Sequence, residues 1–281
     1  MTGGDLHFET HGSGPPILMV HGFGASLYTW KYLVLAFSTT NKLILIDMKG
    51  FGESPKPKDK LYRAQDQADL VHQFIVEHDL RGFTLVGHSL GGGVALLVSL
   101  MLVKENSDRL ARLVLFDNAA YRQKLPAFIN ILRIPIIGWI AFSLPSHKQK
   151  ARMILKKCYF DDTKITPDQV AAYAKPLSSD GGGYALLRTA KMVIPENFDQ
   201  ITSQYNQITV PTLIMWGRND EVVPLEIGQR LHEAIANSEL TLIDDCGHIP
   251  QEEKPAETIE ILRTFLQRHT SFAADPGTPP R

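Results

Sequence analysis

Apolar residues gather in six short runs, Ile17 to Val20, Leu43 to Ile46, Phe83 to Val86, Leu113 to Phe116, Leu213 to Trp216 and Leu240 to Ile243. These runs lack sustained apolar and polar alternation, so they predict strands covered on both faces, the condition of parallel strands in an α/β sheet. Longer stretches at Ala64 to Glu77, Leu90 to Val103, Leu225 to Ala236 and Pro255 to Arg268 predict helices. Strand followed by helix, repeatedly, predicts a doubly wound, mostly parallel sheet with helices on both faces.

The rhythm breaks between Tyr121 and Glu196, where Pro126, Pro135, Pro145, Pro167, Pro176 and the run Gly181 to Gly183 divide helical pieces. The expected organisation is a core over 1–120, an inserted helical cap over 121–196 and the rest of the core over 197–270. A small, polar, proline-rich tail at 271–281, with nothing to bury, is expected to be disordered. The most apolar stretch, Leu125 to Leu144, carries Arg133, Pro135 and Gly138, which argues against a membrane-spanning helix. Its Phe128, Ile129, Ile131, Leu132, Ile134, Ile136, Ile137, Trp139, Ile140 and Phe142 are expected to pack the cap on the core and to line an apolar pocket. Arg133, His147, Lys148, Lys150 and Lys156 flank the run, but a membrane surface is not the expected partner.

Composition narrows the function classes. The 281 residues are 44% apolar and 21% charged, enough to bury a sizeable core. With 29 basic against 30 acidic residues and no long run of either sign, no nucleic-acid footprint is present, and a neutral or weakly charged small molecule is the expected partner. Cys158 and Cys246 are too few for a disulfide framework or a zinc cluster and are expected to be buried fillers. Met1 to Glu9 lacks the basic segment and apolar run of a signal peptide, so the expected location is the cytoplasm. The oligomeric state is left open.

Gly87-His88-Ser89-Leu90-Gly91 joins a strand to a helix. A sharp turn here strains the serine backbone, and glycines two residues either side leave room for strand and helix to cross. The hydroxyl then stands at the carboxyl edge of the sheet, beside a helix N-terminus that favours developing negative charge. A serine hydroxyl needs an imidazole to take its proton and a carboxylate to orient that imidazole. His248 follows Leu240 to Ile243 and Asp220 follows Leu213 to Trp216, so both fall on the same edge. Asp117, closing Leu113 to Phe116, is a rival acid. Asp244 and Asp245 are read as turn formers, and His72, His78, His232 and His269 as surface residues. The N–H groups of Phe23, in His21-Gly22-Phe23-Gly24, and of Leu90 are the expected oxyanion hole.

The chain resembles the α/β-hydrolases from about Leu6 to Gln267, on His21-Gly22-Phe23-Gly24, Asp47 with Gly50-Phe51-Gly52-Glu53-Ser54, the Ser89 turn extended to Gly92, Trp216 to Asp220 with Val223-Pro224, and Gly247-His248. The resemblance implies a Ser89, Asp220 and His248 triad and needs no metal or organic cofactor. Epoxide hydrolases and haloalkane dehalogenases of this fold carry aspartate where Ser89 stands, which disfavours those activities. Trp216 to Pro224 and Asp245 to His248 are similar to hydrolases that cleave carbon–carbon bonds in ring-fission products. Those enzymes carry asparagine in place of His88 and tryptophan in place of Ile249, and Arg188 is the candidate for their ketone-facing arginine. The expected activity is hydrolysis of a small or medium hydrophobic ester through an acyl-enzyme, with carbon–carbon cleavage of a ketone substrate as the alternative. A non-catalytic ligand-binding member is more remote. Gly22, His88, Trp139, Arg188 and Ile249 are the candidate substrate contacts, although His88 is expected to act structurally and not as the base.

Overall fold

The computed structural model describes residues 5–195 and 197–269. The tail expected at 271–281 and the side chain of Phe142 lie outside the described residues.

Each apolar run becomes a strand. Among the described residues the strands are β1 (Phe8–His11), β2 (Pro16–Val20), β3 (Lys42–Ile46), β4 (Phe83–His88), β5 (Leu110–Phe116), β6 (Thr212–Gly217) and β7 (Ser238–Ile243). They form one sheet in the order β1-β3-β2-β4-β5-β6-β7, parallel throughout except for β1, which pairs antiparallel to β3. Ile17, Leu18, Met19 and Val20 of β2 are all 0% exposed, so both faces of this strand are covered. Ile17 and Met19 join a cluster with Leu33, Phe37, Leu262 and Phe265, whereas Leu18 and Val20 join one with Phe74, Ile75, Val94 and Val98. Alternate side chains of a strand point to opposite faces, and here both faces meet helices.

Those helices are α1 (Lys31–Phe37), α2 (Ala64–Glu77), α3 (Leu90–Lys104), α10 (Leu225–Ala234), the short α11 (Pro250–Glu253) and α12 (Pro255–Arg268). Two elements escape the hydrophobic pattern. β1 is a four-residue edge strand with Phe8, Glu9 and Thr10 exposed, so nothing in it is selected for burial. α1 is seven residues long and buries only Leu33 and Phe37, one face of a helix shorter than two turns.

Between β5 and β6 the chain forms α4 (Ala127–Arg133), α5 (Pro135–Ser143), α6 (His147–Cys158), α7 (Pro167–Ser178), α8 (Gly182–Met192) and the short α9 (Phe198–Thr202). The prolines mark starts: α5 and α7 each carry one in the first turn, where its missing N–H costs nothing. Ser146 with Gln149 and Thr166 with Gln169 make reciprocal capping boxes on α6 and α7. α6 and α7 share a buried cluster of Ala151, Leu155, Cys158, Val170 and Ala174 that also takes in Ile249, fastening this segment to the loop after β7. No helix among the described residues is long and apolar enough to cross a membrane.

Because the strands are parallel, the residues that follow β2, β4, β5, β6 and β7 collect at one edge of the sheet. His21, Ser89, Asp117, Asp220 and His248 all occupy that edge by this route.

Candidate active site

Ser89 stands between β4 and α3 with φ 54° and ψ −120°, a conformation costing roughly 1–3 kcal/mol for a residue with a side chain. Its backbone is held from both sides. The Ser89 N–H donates to Phe116 O at 2.9 Å, and its carbonyl accepts from Gly92, Gly93 and Ala119 at 3.1, 3.2 and 3.0 Å. A β-carbon on Gly91 would lie 2.2 Å from His21 O, and one on Gly87 2.6 Å from Gly91 O, so the flanking glycines allow α3 to cross the strands closely.

The Ser89 hydroxyl faces His248, with Oγ to Nε2 at 2.8 Å. On the other side of the ring, Nδ1 lies 2.7 Å from Asp220 Oδ2. The carboxylate accepts the Nδ1 proton, which leaves Nε2 as the acceptor of the serine hydroxyl. Asp220 is aimed in turn by its other oxygen, which accepts from Val222 N at 2.7 Å and Val223 N at 3.1 Å. Ser89, His248 and Asp220, expected to converge, are brought together in one hydrogen-bonded line.

Asp117, the rival acid, is fully buried with φ 42° and accepts from Gly217 N at 2.8 Å through Oδ1. Atoms of Asp117, Asp220 and His248 lie within 4.8 Å of one another. Burial first, and then the Asp220 charge, push the Asp117 carboxyl well above the usual range. The group does not suit a shared cation: two ligands of one tetrahedral ion stand roughly 3.3 Å apart, whereas the Nδ1 to Oδ2 separation of 2.7 Å is a hydrogen bond.

The loop after β2 is pinned from behind. His21 Nδ1 donates to Gly22 O at 2.8 Å and its Nε2 accepts from Met48 N at 3.1 Å. Asp47 accepts from Leu27 N at 2.9 Å and Glu53 N at 2.8 Å, tying this loop to the Gly50-Phe51-Gly52 turn. Gly22 packs against the Ser89 turn so closely that a β-carbon there would lie 2.9 Å from His88 Nδ1. Phe23 and Leu90 line the same cavity as Ser89 and His248, a space of about 110 Å³. Leu90 is the first residue of α3, so its N–H has no partner within the helix.

Of the candidate substrate contacts, His88 and Ile249 line a smaller cavity of about 40 Å³ beside Ser89. His88 also does structural work, donating from Nε2 to His248 O at 2.8 Å. Burial, and then the neighbouring His248, hold its pKa well below the ordinary value. Gly22, Trp139 and Arg188 are not among the residues that line these two cavities. Trp139 is 62% exposed on α5. Arg188 lies on α8 two positions beyond Leu186, with its Nε buried and without a hydrogen-bond partner.

Two glutamates of α11 went unforeseen. Glu253 accepts from Gly247 N at 2.8 Å, Phe160 N at 3.1 Å and Asp161 N at 2.8 Å, joining the His248 loop to the end of α6. Glu252 accepts from Thr29 Oγ1 at 2.7 Å and Gln169 Nε2 at 3.1 Å, and Tyr173 also donates to it. Their one sequence signal is a Glu pair directly behind His248-Ile249-Pro250, in a stretch polar enough to pass for surface.

The model of the alpha/beta hydrolase family matches residues 17–261. The chain belongs to the alpha/beta hydrolase family. This alpha/beta hydrolase is 26% identical over 267 residues to the uncharacterized hydrolase YugF of Bacillus subtilis, covering 93% of each chain. It is 25% identical to a 2-hydroxy-6-oxononadienedioate/2-hydroxy-6-oxononatrienedioate hydrolase of Cupriavidus pinatubonensis, covering 94% of this chain and 92% of that one. A thermophilic esterase of Thermogutta terrifontis superposes with a TM-score of 0.76 at 25% identity, covering 94% and 93%. Esterases and hydrolases of 2-hydroxy-6-oxo acids thus both stand among the enzymes this hydrolase is similar to.

Proposed function

We propose that this hydrolase cleaves a small or medium hydrophobic carboxylic ester, with Ser89 as nucleophile, His248 as base and Asp220 as orienting acid. The observation that carries the reading is the continuous line from Ser89 Oγ to His248 Nε2 at 2.8 Å and from Nδ1 to Asp220 at 2.7 Å. It ends in cavities walled largely by Phe23, Ile154, Leu155, Leu177 and Leu186.

In this mechanism Ser89 Oγ attacks the ester carbonyl while its proton passes to His248 Nε2. The oxyanion is met by the N–H groups of Phe23 and Leu90, and the α3 terminus adds its partial positive charge. His248 then gives the proton to the departing alcohol, leaving an acyl group on Ser89. Water, deprotonated by His248, attacks that acyl group and releases the acid. Residues 121–196 act as the cap that keeps bulk water from the cavity. Two buried free thiols, Cys158 and Cys246, suit the reducing cytoplasm.

The carbon–carbon reading draws on the Cupriavidus relative. Its diacid substrates call for two cationic contacts, whereas the lining of the cavities beside Ser89 offers Arg122 alone, its guanidinium set over the Phe198 ring. The ester is therefore the better fit. Short aryl esters and a fluorophosphonate label test the proposal. Ser89→Ala is expected to lose both the label and at least about 10⁴-fold in kcat. Unchanged turnover in that variant defeats the serine mechanism, and absence of any label on the unaltered protein favours a non-catalytic ligand-binding member.

A further inference from the structure

The apolar run that was expected to line a pocket leaves much of itself in solvent. Ile136 is 74% exposed, Trp139 62% and Leu144 80%, and Ile134, Ile137 and Ile140 are exposed beside them. All six lie within 134–144, on and around α5. Soluble proteins seldom leave so much apolar surface on one element without a partner for it.

Charge identifies the partner. From Tyr121 to Phe160 the chain carries eight Lys and Arg residues and no Asp or Glu, although it has 29 basic against 30 acidic residues in all. A second copy pressed against this face would bring two cationic segments together. An anionic surface is attracted instead, by roughly fivefold in partition for each Lys or Arg held close to it. α5 has nine residues, too few to span a bilayer, and suits a helix lying in the headgroup region with aromatic and aliphatic side chains inserted.

The face also opens toward the nucleophile. A groove of about 630 Å³ is lined by Phe128, Ile131 and Met153 with Lys150, Lys156, Lys157 and Glu221. Lys156 pairs with Asp162 at 2.7 Å and Lys157 with Glu221 at 3.5 Å, which leaves the cations nearer α5, Lys148 and Arg152 among them, to meet the anionic surface. It shares Phe128, Ile154 and Val222 with the cavity that holds Ser89 and His248.

We propose that α4, α5 and the start of α6 form a docking face for an anionic lipid surface, from which a hydrophobic ester enters the groove. The docking stands on the exposed face alone, and only the delivery of an ester rests on the hydrolase reading above.

Trp139 reports the contact directly, because Trp30 and Trp216 are fully buried. Vesicles of phosphatidylcholine, and of phosphatidylcholine with phosphatidylserine, are titrated into the full chain while tryptophan emission and co-sedimentation are followed. The expected result is a blue shift and sedimentation with the phosphatidylserine vesicles, reversed by high salt. Lys148→Ala/Arg152→Ala is expected to weaken that partition roughly 25-fold while keeping its rate on a soluble ester. Ile136→Ser/Leu144→Ser is expected to abolish the shift. Ser89→Ala is expected to dock as the unaltered protein does, so failure of the catalytic reading leaves this result intact. Absence of partition, equal partition into phosphatidylcholine alone, or a Trp139 shift that tracks protein concentration without vesicles, as self-association produces, each overturns the proposal.

Discussion

His88 donates from Nε2 to the backbone carbonyl of His248 at 2.8 Å, with the two rings 4.9 Å apart. The residue next to Ser89, the proposed nucleophile, thereby holds the main chain of His248, the proposed base. With burial keeping His88 neutral, no second positive charge opposes the imidazolium that His248 becomes during attack. His88→Ala is expected to lower kcat by about 10-fold, the worth of one buried hydrogen bond, with little change in KM. Steady-state kinetics on an aryl ester checks this, and a kcat within twofold of the unaltered enzyme contradicts the positioning role.

The same burial governs stability in acid. His21 and His88 both have pKa values lowered below 6.5 by desolvation. As pH falls through that value the unfolded chain takes up two protons that the folded chain does not. Stability is therefore full above about pH 6.5 and falls below it, by roughly 1.4 kcal/mol per pH unit for each histidine. Asp117 and Glu252, whose values are raised on folding, act in the opposite direction as pH falls toward the ordinary carboxyl range. Urea midpoints measured downward from neutrality should fall less, or rise more, in His88→Ala than in the unaltered protein. A His88→Ala profile parallel to that of the unaltered protein excludes a buried neutral His88.

What the sequence made legible follows from what each residue is selected for. Gly87 and Gly91 are readable because close crossing of backbones forbids a side chain there, and Asp220 and His248 because parallel strands deliver their trailing residues to one edge. β1 and α1 bury too little to leave a pattern. Glu252 and Glu253 were hidden for the opposite reason, being charged residues buried through partners that are distant in sequence, such as Thr29 and Gln169. The exposure of Trp139 was not legible because an apolar side chain in a run does not disclose which way it faces.

Asp117 and Asp220 divide the acid's work. Burial, and then the Asp220 charge, disfavour the ionised form of Asp117, and Asp117→Asn preserves size without that charge. Activity in that variant is expected within about threefold of the unaltered enzyme. The folded state should gain stability near neutral pH, because folding no longer buries a carboxyl whose ionised form is disfavoured there. Asp220→Asn instead removes the acceptor that sets the His248 tautomer and should cost about 10⁴-fold in kcat. Kinetics and urea melts of the two variants decide between them. Comparable losses would make Asp117 a partner in orienting His248.

Cys158 offers a check on which nucleophile the cavity contains. It lines both spaces beside Ser89, and its carbonyl accepts from His248 N at 2.6 Å, so a thiol stands close to the base. Burial, and after it the Asp220 charge, raise its pKa, which leaves almost no thiolate at neutral pH. Cys246, also buried, is raised by burial and then by the Asp117 charge. Iodoacetamide should therefore modify the folded protein at least about 100-fold more slowly than a free thiol and leave the proposed turnover of an aryl ester intact, while urea exposes both cysteines. Cys158→Ala keeps the backbone contact and should tolerate slightly bulkier acyl groups, whereas Cys158→Phe should fill the cavity and raise KM most for long acyl chains. Rapid inactivation by iodoacetamide at neutral pH would place a reactive thiolate where burial forbids one.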